Sequence, residues 1–239
     1  KRTTTFSFDA AGNLLKVTNP LGNVTQMRYD ARNRRTEVTS PMGHTQTTRY
    51  DLQGRVTEMR APEEAEGAGR RTVYDANGWP IQSISPSGLV TQTTYDHEGR
   101  IQTIKDPAGN LTRYEYGADG TAQSGQLIAT QYPTYRKTYQ YDQLGRQTVI
   151  TQHLKNNQER RQVQTYNALG QLFASTDPAN KTTLSHYDAL GRSIQSIDPV
   201  GQTTQQGWNA LDQLITVTDA NGNTHRFEYD KTGRVTKET

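Results

Sequence analysis

An aromatic residue followed by Asp returns along this chain at a nearly fixed interval, and that recurrence limits the fold more than any other feature. The aromatic anchors are Phe8, Tyr29, Tyr50, Tyr74, Tyr95, Tyr116, Tyr141, Tyr166, Tyr187, Trp208 and Tyr229. Seven of the ten intervals are 21 residues, one is 24 and two are 25. A fixed period of this length marks a tandem array, in which each unit is one supersecondary element that buries its faces only against its neighbours.

Each anchor opens a turn. Asp follows Tyr29, Tyr50, Tyr95, Tyr141, Tyr187 and Tyr229 as Asp30, Asp51, Asp96, Asp142, Asp188 and Asp230. Three residues after five of these come Gly54, Gly99, Gly145, Gly191 and Gly233. Asp at the start and Gly at the end is the pattern of a type I turn closed by a left-handed residue. The Asp carboxylate bonds backbone two residues on, and Gly takes positive φ without strain. Asn33 and Asp212 replace the Gly in two units, and both types tolerate the left-handed region. Asn167 and Asn209 replace the first Asp, and Gly117 breaks the rule.

A second turn follows most anchors about half a period later. It reads Asn19-Pro20-Leu21-Gly22, Ser40-Pro41-Met42-Gly43, Ser85-Pro86-Ser87-Gly88, Asp106-Pro107-Ala108-Gly109 and Asp198-Pro199-Val200-Gly201. Between turns lie short runs rich in Thr, Val, Ile and Tyr, such as Val24–Tyr29, with period-2 alternation. No stretch has helical periodicity.

The expected fold is therefore all-β, with residues 1–239 a single array of tandem antiparallel β-hairpins. Two strands per repeat give about 20 strands, or roughly 100 Å of sheet. Open twisted sheets of that size curl, so the sheet is expected to be curved and spiralling, part of a hollow, barrel-like shell. Only 31% of residues are hydrophobic and mean hydropathy is −0.93, which suits a wall better than a filled core. Tyr occurs 13 times and net charge is only +3, against the aromatic-poor, charge-rich composition of disordered chains. Irregular insertions are expected near residues 60–71, 117–138 and 153–161.

The Tyr-Asp-x-x-Gly-Arg signature with intervening Asp-Pro-x-Gly resembles the YD repeat of Rhs proteins, over essentially the whole chain. That resemblance implies a β-cocoon that encapsulates a C-terminal toxin or effector cargo. Such shells belong to polymorphic toxins, toxin-complex C proteins and wall-associated proteins of bacteria, and teneurins carry a related one. It also implies a secreted or cell-surface bacterial protein of the kind delivered by secretion systems, type VI among them, in bacterial competition. The chain is expected to be a segment of a longer protein, joined by the remaining repeats of its parent shell. Two exposed strand edges would favour edge-to-edge self-association.

No convergent catalytic constellation is present, so no enzyme activity, cofactor or metal is expected. Asp177 and Asp198 superficially resemble the paired boxes of a self-cleaving Rhs terminus, but Asn180 stands where Gly is needed, and both read as ordinary turns. Asp219–Asn223 lacks the glycine spacing of a calcium loop. The five histidines have no ligand spacing. No apolar run reaches membrane-span length, and no Lys/Arg block points to nucleic acid. Arg34, Arg55, Arg100, Arg146, Arg192 and Arg234 share one repeat position. Local pairing with the turn Asp is one reading of them. The other is a row that, with nearby Tyr faces, binds a polyanion or glycan, making carbohydrate binding the alternative function.

Overall fold

The computed structural model describes residues 3–65 and 68–239. Lys1 and Arg2, and Glu66 and Gly67 of the 60–71 insertion, lie outside the described residues. The described residues form 22 strands and one short 3-10 turn, so the chain is all-β. They divide into two compact units, Lys1–Arg113 and Tyr114–Thr239.

The first unit contains β1 (Thr5–Phe8), β2 (Leu14–Thr18), β3 (Val24–Tyr29), β4 (Arg35–Thr39), β5 (Thr45–Tyr50), β6 (Val56–Arg60), β7 (Arg70–Tyr74), β8 (Pro80–Ile84), β9 (Val90–Tyr95) and β10 (Ile101–Lys105). It also takes in the start of β11 (Leu111–Tyr116). Each strand pairs antiparallel with the next, from β1 to the first residues of β11.

The second unit holds β12 (Leu127–Gln131), β13 (Arg136–Tyr141), β14 (Gln147–His153), β15 (Glu159–Tyr166), β16 (Leu172–Thr176), β17 (Thr182–Tyr187), β18 (Ser193–Ile197), β19 (Thr203–Trp208), β20 (Leu214–Thr218), β21 (Thr224–Tyr229) and β22 (Val235–Glu238). These too pair antiparallel in sequence order. A meander of this kind needs only tight turns, which explains the density of Gly, Pro, Asn and Asp.

Two turn types alternate, and their registers differ. In the anchor turn the Asp51 N–H donates to the Arg55 carbonyl at 3.0 Å and the Gly54 N–H donates to the Asp51 carbonyl at 3.2 Å. Tyr50 then pairs with Val56 whereas Arg49 pairs with Glu58, so one residue is extra and a β-bulge forms. The same shift occurs at Tyr29, Tyr74, Tyr141, Tyr166, Tyr187, Trp208 and Tyr229. A bulge at these anchors increases local twist. The second turns have the same backbone bonds, as in Gly201 N–H to the Asp198 carbonyl at 3.0 Å, but the pairing beside them is continuous.

The 117–138 and 153–161 insertions have local structure of their own. Gly117 bridges to Ser124, and a Cβ there would clash with the Gln123 carbonyl, so only glycine fits. Tyr132 and Tyr135 stack at 4.5 Å across the turn joining β12 to β13. Lys155–Asn157 form the 3-10 turn, with Asn156 and Asn157 at φ 64° and 56°. His153 Nδ1 lies 2.8 Å from Glu159 Oε1 beside it.

Very little is fully buried. Among the described residues the buried side chains are Met27, Ala129, Thr130, Val149 and Thr151. Cohesion therefore rests on ladders and on contacts between successive hairpins more than on a shared core.

The positive-φ positions give a direct test of the turns. Gly201 (φ 85°) has open space around its missing Cβ, and Asn180 occupies the equivalent position at φ 60°. Gly201→Ala should therefore lose about 1–2 kcal/mol from backbone conformation alone. Asn180→Gly should change stability by less than about 0.5 kcal/mol. Urea unfolding of the two variants measures both.

Candidate functional site: the arginine and aromatic stitch between repeats

The residue types that recur at fixed repeat positions converge on the boundary between one hairpin and the next. The anchor aromatic reaches backward. Tyr29 donates its hydroxyl to the Leu14 carbonyl at 3.1 Å, Tyr50 to Arg35, Tyr74 to Val56 and Tyr95 to Pro80, each at 3.0 Å. In the second unit Tyr141 donates to Leu127 at 2.7 Å, Tyr166 to Gln147 and Tyr187 to Leu172 at 2.9 Å, and Tyr229 to Leu214 at 2.8 Å. Trp208 makes the same bond to Ser193 through its indole Nε1–H at 2.7 Å. The acceptor is the carbonyl of the residue that opens the second strand of the preceding hairpin, and in most repeats that residue sits across from the preceding anchor beside the bulge.

The anchor-turn carboxylates other than Asp75 bond through both oxygens. Asp188 accepts the backbone N–H groups of Leu190 and Arg192 at Oδ1, both at 2.9 Å, and Arg192 Nε at Oδ2 at 2.7 Å. Asp30, Asp51, Asp96, Asp142 and Asp230 hold Arg34, Arg55, Arg100, Arg146 and Arg234 in the same way, with Nε to Oδ2 at 2.6–2.7 Å. Gly54, Gly99, Gly145, Gly191 and Gly233 close these turns at φ between 76° and 91°.

The arginines reach forward from that pairing. Arg34 Nη1 donates to the Asp51 carbonyl at 2.8 Å, and Arg192 Nη1 donates to the Asn209 carbonyl at 2.9 Å. Arg34 lies 4.7 Å from the Tyr50 ring centroid, Arg55 4.5 Å from Tyr74, Arg146 4.7 Å from Tyr166 and Arg192 5.9 Å from Trp208. One guanidinium thus bonds its own turn, the next turn's backbone and the face of the next anchor. A planar, permanently charged donor fork is suited to all three tasks. Arg34, Arg55, Arg100, Arg146 and Arg192 are 21–29% exposed, whereas Arg234 is 80% exposed.

In three repeats that lack Arg, the pairing changes chemistry but keeps its shape. Asn167 Nδ2 donates to Gln171 Oε1, and Asn209 Nδ2 to Gln213 Oε1, both at 2.7 Å. Asn13 Nδ2 donates to Asp9 Oδ2 at 2.9 Å. The second and sixth residues of these anchor motifs therefore vary together, a regularity visible in the sequence that a reading of the turns alone does not use. A row of exposed leucines, Leu144, Leu169, Leu190 and Leu211, at the third turn position is another. The expected plain turns at Asp177 and Asp198 have the same carboxylate-to-backbone bonds as the others.

These bonds depress the carboxyl groups. Asp30 is lowered first by the Arg34 side chain and then by the Arg34 N–H. Asp188 is lowered by the Arg192 N–H and then its side chain. Asp230 falls to about 2, through the Arg234 N–H, the Thr232 hydroxyl and the Arg234 side chain. A depressed carboxyl contributes stability that is present above its unfolded value of 3.8 and lost as pH falls through the folded value, here toward about 2. Unfolding midpoints should therefore drop steeply between those limits. The double variant Asp188→Asn/Arg192→Gln copies the Asn167–Gln171 pair, so it should be more stable than either single variant at pH 7 and less acid-sensitive than the parent. A thermal-melt double-mutant cycle at pH 7 and pH 3 measures this.

The RHS Repeat family model matches residues 8–45, 29–65, 74–111, 166–204 and 208–239, together more than half of the chain. No curated protein sequence matches the chain. Among solved structures it is similar to a TcdB2-TccC3-Cdc42 crystal structure, at 15% identity and a TM-score of 0.48, over 98% of this chain and 18% of that one. It is similar to TcdB2-TccC3 without its hypervariable C-terminal region at 15% identity and a TM-score of 0.49, again over 98% and 18%. A Photorhabdus luminescens Tc holotoxin pore gives 14% identity and a TM-score of 0.46, over 100% of this chain and 18% of that one. The chain thus spans 18% of the length of those proteins. With the repeat matched across both units, the chain belongs to the RHS repeat family.

Proposed function

We propose that this chain is a structural, non-catalytic segment of an Rhs-type β-cocoon, whose wall encloses a toxin or effector domain of its parent chain until delivery. The observation that carries this reading is the economy of the repeat. Side chains at the recurring positions, Asp, Arg and Tyr alike, are bonded to their own turn or to the adjacent hairpin. A unit built this way propagates sheet without needing a filled interior. The very small set of buried side chains points the same way, since a wall has two solvated or cargo-facing surfaces.

Family membership favours a secreted or cell-surface bacterial protein, with the parent's remaining repeats as partners along the sheet. Type VI export is one delivery route open to such a protein. No helix of the described residues is long and apolar enough to cross a membrane. The alternative, an arginine row reading a glycan or polyanion, would require guanidinium groups to leave the Asp and aromatic partners described above.

Small-angle X-ray scattering of the chain separates the readings. A shell segment should give a curved, hollow profile and a radius of gyration well above the roughly 18 Å of a compact domain of this length. It should also elute from heparin at low salt. A compact profile with strong, salt-sensitive heparin retention would favour the polyanion reading instead.

A further inference from the structure

One anchor repeat departs from the pairing rule in a way that leaves a partner wanting. Trp79 stands after Tyr74 at the position that Arg34, Arg55, Arg100, Arg146, Arg192 and Arg234 occupy elsewhere. Its backbone N–H still donates to Asp75 Oδ1 at 2.9 Å. Its side chain makes no bond to Oδ2, and among the described residues no other group bonds that oxygen. Arg55 Nη1 faces the Asp75 backbone carbonyl at 3.4 Å, and Arg100, from the next repeat, pairs with Asp96 and Glu98.

The indole leans on Tyr95, with ring centroids 5.4 Å apart at 43°, and covers Gly99, where a Cβ would lie 2.9 Å from Trp79 Cζ2. Asp75, Trp79 and Tyr95 line one open cavity of about 780 Å³, together with Gln82, Gln92 and His97. The corresponding groove at Asp30, Arg34 and Tyr50 measures about 410 Å³. There Arg49 and Glu58 form an ion pair across the strands at 3.4 Å. At the equivalent positions stand the shorter Thr94 and Thr103, whose hydroxyls bond each other at 2.7 Å.

We propose that Asp75, Trp79 and Tyr95 form a binding site for a guanidinium group supplied by an arginine of another polypeptide segment. The chain itself shows how the ligand is held. In neighbouring repeats a guanidinium bonds the turn carboxylate and lies 4.5–4.7 Å from an aromatic centroid. At Asp75 the carboxylate oxygen and the aromatic surface are retained, the intramolecular guanidinium is not, and the groove is wide enough for one to enter from outside. Trp is the strongest aromatic partner for a cation, and a carboxylate adds charge-assisted hydrogen bonds. A flat guanidinium matches both better than a compact ammonium. The inference stands on this groove alone and holds whether or not the chain is part of a shell.

The test uses the 239-residue chain and the peptide acetyl-Gly-Arg-Gly-amide with isotope-labelled arginine, observed by NMR. Saturable perturbation of the guanidinium signals is expected, weaker for the Lys peptide. Asp75→Asn should weaken binding roughly tenfold, the loss of one hydrogen bond to a charged group. Trp79→Arg should abolish it, because the new side chain fills the site as Arg34 and Arg55 fill theirs. No perturbation with the parent chain would overturn the proposal. So would undiminished binding by Asp75→Asn or by Trp79→Arg, or binding of a methyl glycoside with none of the peptide.

Discussion

The structure depends on a contact that is neither core packing nor strand ladder: the joint at which one hairpin's arginine and the next hairpin's aromatic ring meet. A ladder alone fixes strands side by side, but it does not tie an anchor side chain to the hairpin before it. The tyrosine hydroxyl makes that tie, as from Tyr187 to Leu172. The arginine then covers the same ring and bonds the next turn, as Arg34 does at Tyr50 and Asp51. Hydrogen bonds to charged groups contribute about 1.5–3 kcal/mol each. Partly exposed pairs deliver less, so the joint acts by repetition.

A sheet held in this way tolerates composition that a globule does not. With five buried side chains among the described residues, there is little hydrophobic surface to share over distance. Each hairpin instead answers to its neighbours, and an insertion need satisfy only its own turn. The 3-10 turn at Lys155–Asn157 does so beside the His153–Glu159 contact, and pairing of β14 with β15 continues past it. The same locality explains how one repeat can exchange Arg for Trp79 and acquire a groove while adjacent ladders persist.

Much of this was legible in the sequence because turns impose chemistry on single positions. The left-handed residue after each anchor had to be Gly, Asn or Asp, and Asn33, Gly54 and Asp212 lie at φ 60°, 91° and 60°. Period-2 alternation gave the strands. The tyrosine donor was not legible, because its acceptor is a backbone carbonyl in another repeat and carries no residue signature. The forward reach of arginine was hidden for the same reason: Asp30 near Arg34 is visible in one motif, whereas Arg34 over Tyr50 depends on bulge geometry. The co-variation of Asp with Arg and Asn with Gln was available in the sequence, and it would have marked Trp79 as the exception.

Hydrogen exchange on the chain carrying Arg192→Ala tests the joint most directly. If neighbour contacts carry the array, protection should fall in β17 to β20, the hairpins that Arg192 links, and remain at parental levels in β12 to β14. A uniform loss of protection across the second unit would show one cooperative core, and no loss at all would show that the ladders suffice; either result would contradict the account.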